Sequence, residues 1–191
     1  MGVVLSKGGN VNLSKTDAAL KKVRVGLGWD SRLTDGAAFD LDVVCFLTDE
    51  AEKCLNEKDF IFYNNLVGAE GAVTHTGDNR TGDGDGDDES VIVELAAVPE
   101  RIKKIVFAVS IDQAEQRGQN FGMVSSAYIR VLNEESGVEM ARFDLSEDAS
   151  TSRVMIQGEL YRHNGDWKFK AIGQGYEGGL NKLIERYGLS E

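Results

Sequence analysis

The stretch Gly77-Asp-Asn-Arg-Thr-Gly-Asp-Gly-Asp-Gly-Asp-Asp-Glu89, followed directly by Ser90-Val-Ile-Val-Glu-Leu95, decides how the rest of the chain is read. Its first part holds six carboxylates and one arginine. Its second part is a short β-type segment, and Val73 precedes the acidic run, so the carboxylates sit inside a folded domain rather than in a solvated acidic tail. Two like charges about 6 Å apart repel by roughly 0.7 kcal/mol even in water, and more against protein. That crowding calls for a cation. In an extended segment Asp83, Asp85 and Asp87 would share one side at roughly 7 Å spacing, too wide for one ion, but Gly82, Gly84 and Gly86 permit the tight turns that bring oxygens together.

An all-oxygen donor set favours a hard divalent ion. Calcium accepts six to eight oxygens in irregular geometry, whereas magnesium demands a near-ideal octahedron. No cysteine lies in the loop and the nearest imidazole is His75, so zinc or copper is poorly supported. The loop is no EF-hand, because the sixth place counted from Asp83 is Asp88 and not glycine. Asp30, Asp40 and Asp42 add three more carboxylates, and nine exceed the needs of one ion. Two calcium ions are therefore expected. In this reading Asp78, Asp83 and Asp85 hold one, Asp87, Asp88 and Glu89 hold the other, Asp30, Asp40 and Asp42 cross-brace them, and Asn79 gives its amide oxygen. Arg80 either forks onto a carboxylate or lies on the surface.

Outward from the loop, the chain alternates in twos. Val23, Val25 and Leu27 alternate with Arg24 and Gly26, and Phe39 and Leu41 with Asp40 and Asp42, before the apolar run Val43-Val44-Cys45-Phe46-Leu47. Further strands are expected at 3–5, 11–13, 59–63, 90–95, 104–110, 127–132, 138–145, 153–161 and 167–172, with short helical turns near 96–101 and 111–118. Asn164-Gly165 marks a hairpin. Leu180, Leu183, Ile184 and Tyr187 are spaced for one face of a C-terminal amphipathic helix. So many short strands without strand-helix alternation predict an all-β fold. It is a β-sandwich of two mainly antiparallel sheets, with short peripheral helices and a C-terminal helix, in a single domain over residues 1–191.

A net charge of -11 in 191 residues speaks against nucleic acid or an anionic membrane surface as partner. The start, Met1-Gly-Val-Val-Leu-Ser-Lys7, turns polar too soon for a secretory signal, and no apolar run of about 18 residues is present, so neither export nor membrane insertion is expected. Cys45 and Cys54 are accordingly expected as reduced thiols.

Several longer words now fall together. Lys7-Gly-Gly-Asn10, Val25-Gly-Leu-Gly-Trp-Asp30, Phe39-Asp-Leu-Asp42, Asp59-Phe-Ile-Phe-Tyr-Asn64, Gly77-Asp-Asn-Arg-Thr-Gly82, Gly84-Asp-Gly-Asp-Asp-Glu89 and Gln119-Asn-Phe-Gly122 closely resemble the bacterial tellurium-resistance TerD family, over essentially the full chain. The resemblance implies a calcium-binding β-sandwich of the cytoplasm, tied to resistance against tellurite and other stresses. It also implies protein partners, including a membrane-associated TerC-like protein that would bring the chain to the periphery of the inner membrane. Within that expectation the chain acts as an ion-stabilised scaffold or adaptor, with Trp29, Phe121 and Tyr176 as candidate contacts. The alternative is a metal-dependent enzyme acting on phosphate esters, with His75, His163, Asp112 and Glu115 as acid-base candidates. No phosphate-cradling loop or nucleophile elbow supports it.

Overall fold

Along β3 (Lys22–Ser31) the side chains of Val23, Val25, Leu27 and Trp29 are buried in the core, while Arg24, Gly26 and Gly28 take the other face, as a period of two requires. The structure, a computed structural model, describes residues 2–31, 39–77, 86–145 and 151–190. Among these, thirteen strands form two sheets. One sheet of seven strands has the order β1 (Val3–Val4), β11 (Glu139–Asp144), β10 (Val124–Asn133), β3, β8 (Glu89–Glu94), β7 (Val73–His75) and β6 (Val67–Gly68). The other, of six strands, runs β2 (Asn10–Asn12), β13 (Asp166–Tyr176), β12 (Val154–His163), β9 (Lys104–Ile111), β4 (Leu41–Thr48) and β5 (Phe60–Ile61). Only β1 with β11 pairs in parallel; the other described pairs are antiparallel.

Between the sheets lie Leu27, Leu41, Val91, Phe107, Ile129 and Phe169, among others. A second apolar layer covers the outer face of the six-stranded sheet, where Val44, Phe46, Val106 and Ile156 meet Leu183 of the C-terminal helix α3 (Gly179–Arg186) and the adjoining Tyr187. Phe46 stacks on Tyr187 with ring centroids 4.5 Å apart. Being covered on both faces is why residues 43–47 read as an unbroken apolar run.

Departures from the sequence reading are local. The expected strand 11–13 ends at Asn12, whose side chain accepts the Lys15 N–H and caps a single helical turn, α1 (Leu13–Thr16). The strand expected at 59–63 shortens to two residues because Asn56 caps a 3-10 turn over Glu57–Asp59 and the Asn65 amide binds the Phe60 carbonyl. The stretch 96–101 makes turns without a helix, and the excursion at 111–118 is α2 (Ala114–Arg117), closed by Gly118 at φ 63°. At the predicted hairpin Asn164 and Gly165 take φ of 53° and 81°, the left-handed pair such a two-residue turn needs.

Candidate functional site

Glu89 opens β8 in register with Leu27, and its side chain enters the interior alongside Val91 and Val93. It is 2% exposed, as is His75 on the neighbouring β7. A buried carboxylate is tolerated only when its oxygens are answered. Glu89 Oε2 accepts the Val43 N–H at 2.8 Å and faces His75 Nε2 at 3.2 Å. His75 Nδ1 accepts the Gly77 N–H at 3.0 Å, which holds the ring between Gly77 and Glu89. Since β5 pairs with β4 at Cys45 and Phe46, the Val43 amide lies beyond that edge pairing, and Glu89 supplies its acceptor from the opposite sheet. One carboxylate thus ties the start of β8 to the start of β4.

Asp88 ties the same end to β3. Its N–H donates to the Leu27 carbonyl at 2.9 Å, and its Oδ2 accepts the Trp29 N–H at 2.8 Å. Asp87 turns the other way. It lies on the outer face of the seven-stranded sheet over Gly26, where a Cβ would stand 1.9 Å from Oδ2. Asp87 Oδ1 accepts Arg130 Nε at 2.7 Å, and the Tyr128 hydroxyl is shared between it at 3.1 Å and the Gly86 carbonyl at 2.8 Å. Gly28 makes room for the Tyr128 ring in the same manner, with a built Cβ 2.4 Å from the ring. Arg142 caps that ring at 3.9 Å from its centroid. Burial, then the charge of Asp87, pushes the Tyr128 hydroxyl up to about 12. The Arg130 guanidinium is also held above its ordinary value, because the bond to Asp87 and its charge outweigh the opposing effect of burial.

Phe39 and Leu41 enter the core as expected, leaving Asp40 and Asp42 to the alternate positions; Asp42 lies in register with Ser110, and the Asp40 carbonyl accepts the Asp112 N–H at 2.8 Å. Asp30 is in backbone register with Ser125 near the end of β3, and its side chain lies outside the described part. Asp78, Asn79, Asp83 and Asp85, with Arg80, lie outside the described residues. The fold therefore brings Asp40, Asp42, Asp88, Glu89 and the backbone of Asp30 to one end of the sandwich. It does not gather Asp87, Asp88 and Glu89 around one point, because the sheet itself separates Asp87 from Glu89. Among the described residues no three His, Cys, Asp or Glu side chains stand together as an ion site.

Sequence reasoning missed the His75–Glu89 pair and the Asp87–Arg130–Tyr128 group. The first was signalled by parity, since Val91 and Val93 facing inward imply Glu89 inward as well. The second was signalled by Tyr128 and Arg130 lying on the same face as Gly26 and Gly28 in the paired strand. The acid-base candidates do not assemble: Asp112 pairs with Arg117 at 3.6 Å, Glu115 with Arg153 at 3.6 Å, and His163 is exposed beside the 164–165 turn. Trp29 and Phe121 belong to the core. Cys45 is fully buried, and burial followed by the Glu89 charge pushes its thiol up, which leaves it an inert core residue.

The model of the TerD domain family matches residues 1–187. The chain is 57% identical over 190 residues to tellurium resistance protein TerD of Serratia marcescens, covering 100% of this chain and 99% of that one. It is 55% identical over 190 residues to general stress protein 16U of Bacillus subtilis (strain 168), covering 99% and 98%. A crystal structure of a homologue of telluride resistance protein (TerD) from Streptomyces coelicolor A3(2) superposes with a TM-score of 0.70 at 20% identity, over 90% of this chain and 99% of that chain, and shows the shared fold. By sequence along nearly its whole length, this chain belongs to the TerD domain family.

Proposed function

We propose that this chain is a calcium-binding stress-response protein, implicated in tellurite resistance, in which ions at the acidic end of the sandwich stabilise a scaffold or adaptor. The observation that carries the reading is the tie made by Glu89 and Asp88, which joins the acid-bearing ends of β3, β4 and β8 at one place. Its donors are hard oxygens, and the one nearby imidazole, His75, already faces Glu89 and Gly77. In this reading Asp30, Asp40, Asp42, Asp78, Asn79, Asp83, Asp85 and Asp88 are the ligands of two ions. Asp87, engaged by Arg130 and Tyr128, and Glu89, engaged inside the core, serve in this reading as braces rather than as ligands. Bound calcium supplies positive charge that relieves carboxylate repulsion; the chain's own residues hold the three strand ends in register so that the relief is coupled to folding. The stress role rests on family membership and on the names of the relatives. A cytoplasmic place and a membrane-associated TerC-like partner belong to the same proposal. No described helix is long and apolar enough to cross a membrane.

Thermal unfolding of chelator-treated protein tests the coupling. With calcium at about a hundred times its dissociation constant, stability should rise by about 2.7 kcal/mol for each ion bound, a Tm increase of roughly 5–10 °C per ion. Asp42→Asn should lose most of that increase, and an equal rise in wild type and variant would remove Asp42 from the site. Partner capture run with calcium and with chelator tests the adaptor role, which predicts a protein retained only with calcium; an unchanged set would refute it.

A further inference from the structure

On the outer face of the six-stranded sheet, beside the end of α3, is a cleft of about 90 Å³ that the acidic end does not reach. Thr48, one of its lining residues, lies at the far end of β4 from Asp42, about 20 Å along the strand. Two features mark the cleft as more than a packing gap. The hydroxyls of Thr48 and Tyr176 are both buried and have no hydrogen-bond partner among the described residues, and Thr48 is 0% exposed. Buried hydroxyls are ordinarily answered, so an unanswered pair facing one cleft points to a polar occupant.

The charges around the cleft are balanced. Lys104 is paired with Glu52 and lies 3.9 Å from Glu159, giving an ammonium between two carboxylates. Arg186, from the last position of α3, lies over the rings of Tyr176 and Tyr187 at 5.5 and 6.0 Å and has no ion-pair partner among the described residues. Val106, Ile156 and Ile172 give the floor an apolar strip. Burial pushes the Glu159 carboxyl up, despite Lys104, so a second cation beside it would be welcome.

We infer that this cleft binds a small zwitterion of the α-amino acid class, its carboxylate on Arg186 and the two hydroxyls, its ammonium toward Glu159, and its short side chain on the apolar strip. Charge decides between the candidate occupants. A free inorganic anion would satisfy Arg186 but face Glu52 and Glu159, and a simple cation would do the reverse; a zwitterion meets both signs without changing the net charge. Size restricts the side chain: a cavity of about 150 Å³ accepts benzene, so this smaller one suits glycine or alanine.

The test is an amide NMR titration of the full chain with L-alanine, with acetate, methylammonium and inorganic phosphate as separate controls. Alanine should give saturable shifts at Thr48, Lys104, Glu159 and Tyr176, with each half-molecule at least about tenfold weaker. Tyr176→Phe, which removes only the hydroxyl, and Arg186→Gln should each weaken alanine by about tenfold. Both variants are first shown to keep the wild-type melting temperature; should either lower it, Thr48→Val replaces it. Absence of saturable shifts with alanine overturns the inference, as does phosphate binding more tightly than alanine, or folded variants that bind alanine like wild type. The titration is run in calcium and in chelator, and failure of calcium binding leaves its outcome independent, since no proposed ion ligand lines the cleft.

Discussion

At the scale of single residues, Gly26 shows how a missing side chain positions a charge. Its bare Cα lets the Asp87 carboxylate lie against the outer face of β3 and meet Arg130 and Tyr128. Gly26→Ala puts a methyl 1.9 Å from Asp87 Oδ2, so the carboxylate must leave its partners or the strands must part. We expect a loss of about 2 kcal/mol, read as a Tm lowered by roughly 4–8 °C. An unchanged Tm would show that Asp87 braces nothing. Cys54 makes a second prediction through its thiol, which burial, then the charge of Asp59, pushes from 9.0 up to about 12. Below pH 9 the thiol is protonated in the folded and the unfolded chain, and pH does not act through it. Above pH 9 the unfolded chain releases the proton while the folded chain keeps it, so stability falls as pH rises toward 12, by about 2 kcal/mol at pH 11. Urea midpoints measured under reducing conditions from pH 8 to 11 should show this decline, and Cys54→Ala should decline less. Equal slopes would place the titration elsewhere.

Elements show where the sequence was readable and where it was not. The period of two along Val23–Leu27, the Asn164-Gly165 turn and the apolar face of α3 are local patterns, and each became the expected element, while the alternation at Phe39–Leu41 predicts which side chains are buried although β4 begins only at Leu41. What local patterns do not carry is contact between distant strands. A glycine inside a strand ordinarily weakens it, yet β3 runs through Gly28 to Ser31, and that glycine is the space for Tyr128 from β10. Asp87 and Glu89 look alike in a run of acids, and only the bend between them sends one outside the sheet and one inside. The docking of α3 rests chiefly on Leu183, fully buried against the outer apolar layer, with the Cys54 N–H donating to the Tyr187 carbonyl at 2.9 Å just beyond the helix. Leu183→Ala should therefore cost about 3 kcal/mol and lower Tm by roughly 6–12 °C. A loss under about 1 kcal/mol in chemical unfolding would mean that the helix contributes little to the outer layer.

For the molecule as a whole, the two sheets share an apolar core along most of their area and a polar tie at one end. Glu89 reaches from β8 to the Val43 amide while Asp88 holds Trp29, so three acid-bearing strand ends are fixed in place by hydrogen bonds from backbone amides to these carboxylates rather than by the proposed ions. Preformed strand ends reduce the ordering an ion must impose, and the remaining carboxylate repulsion is what calcium would relieve. The most direct measurement is a calorimetric titration of calcium into the chelator-treated full chain. The account predicts saturable binding of two ions per chain, with affinity strongly reduced in Asp42→Asn and Asp88→Asn; absence of binding heat at two temperatures, with the fold unchanged by chelation, would contradict it.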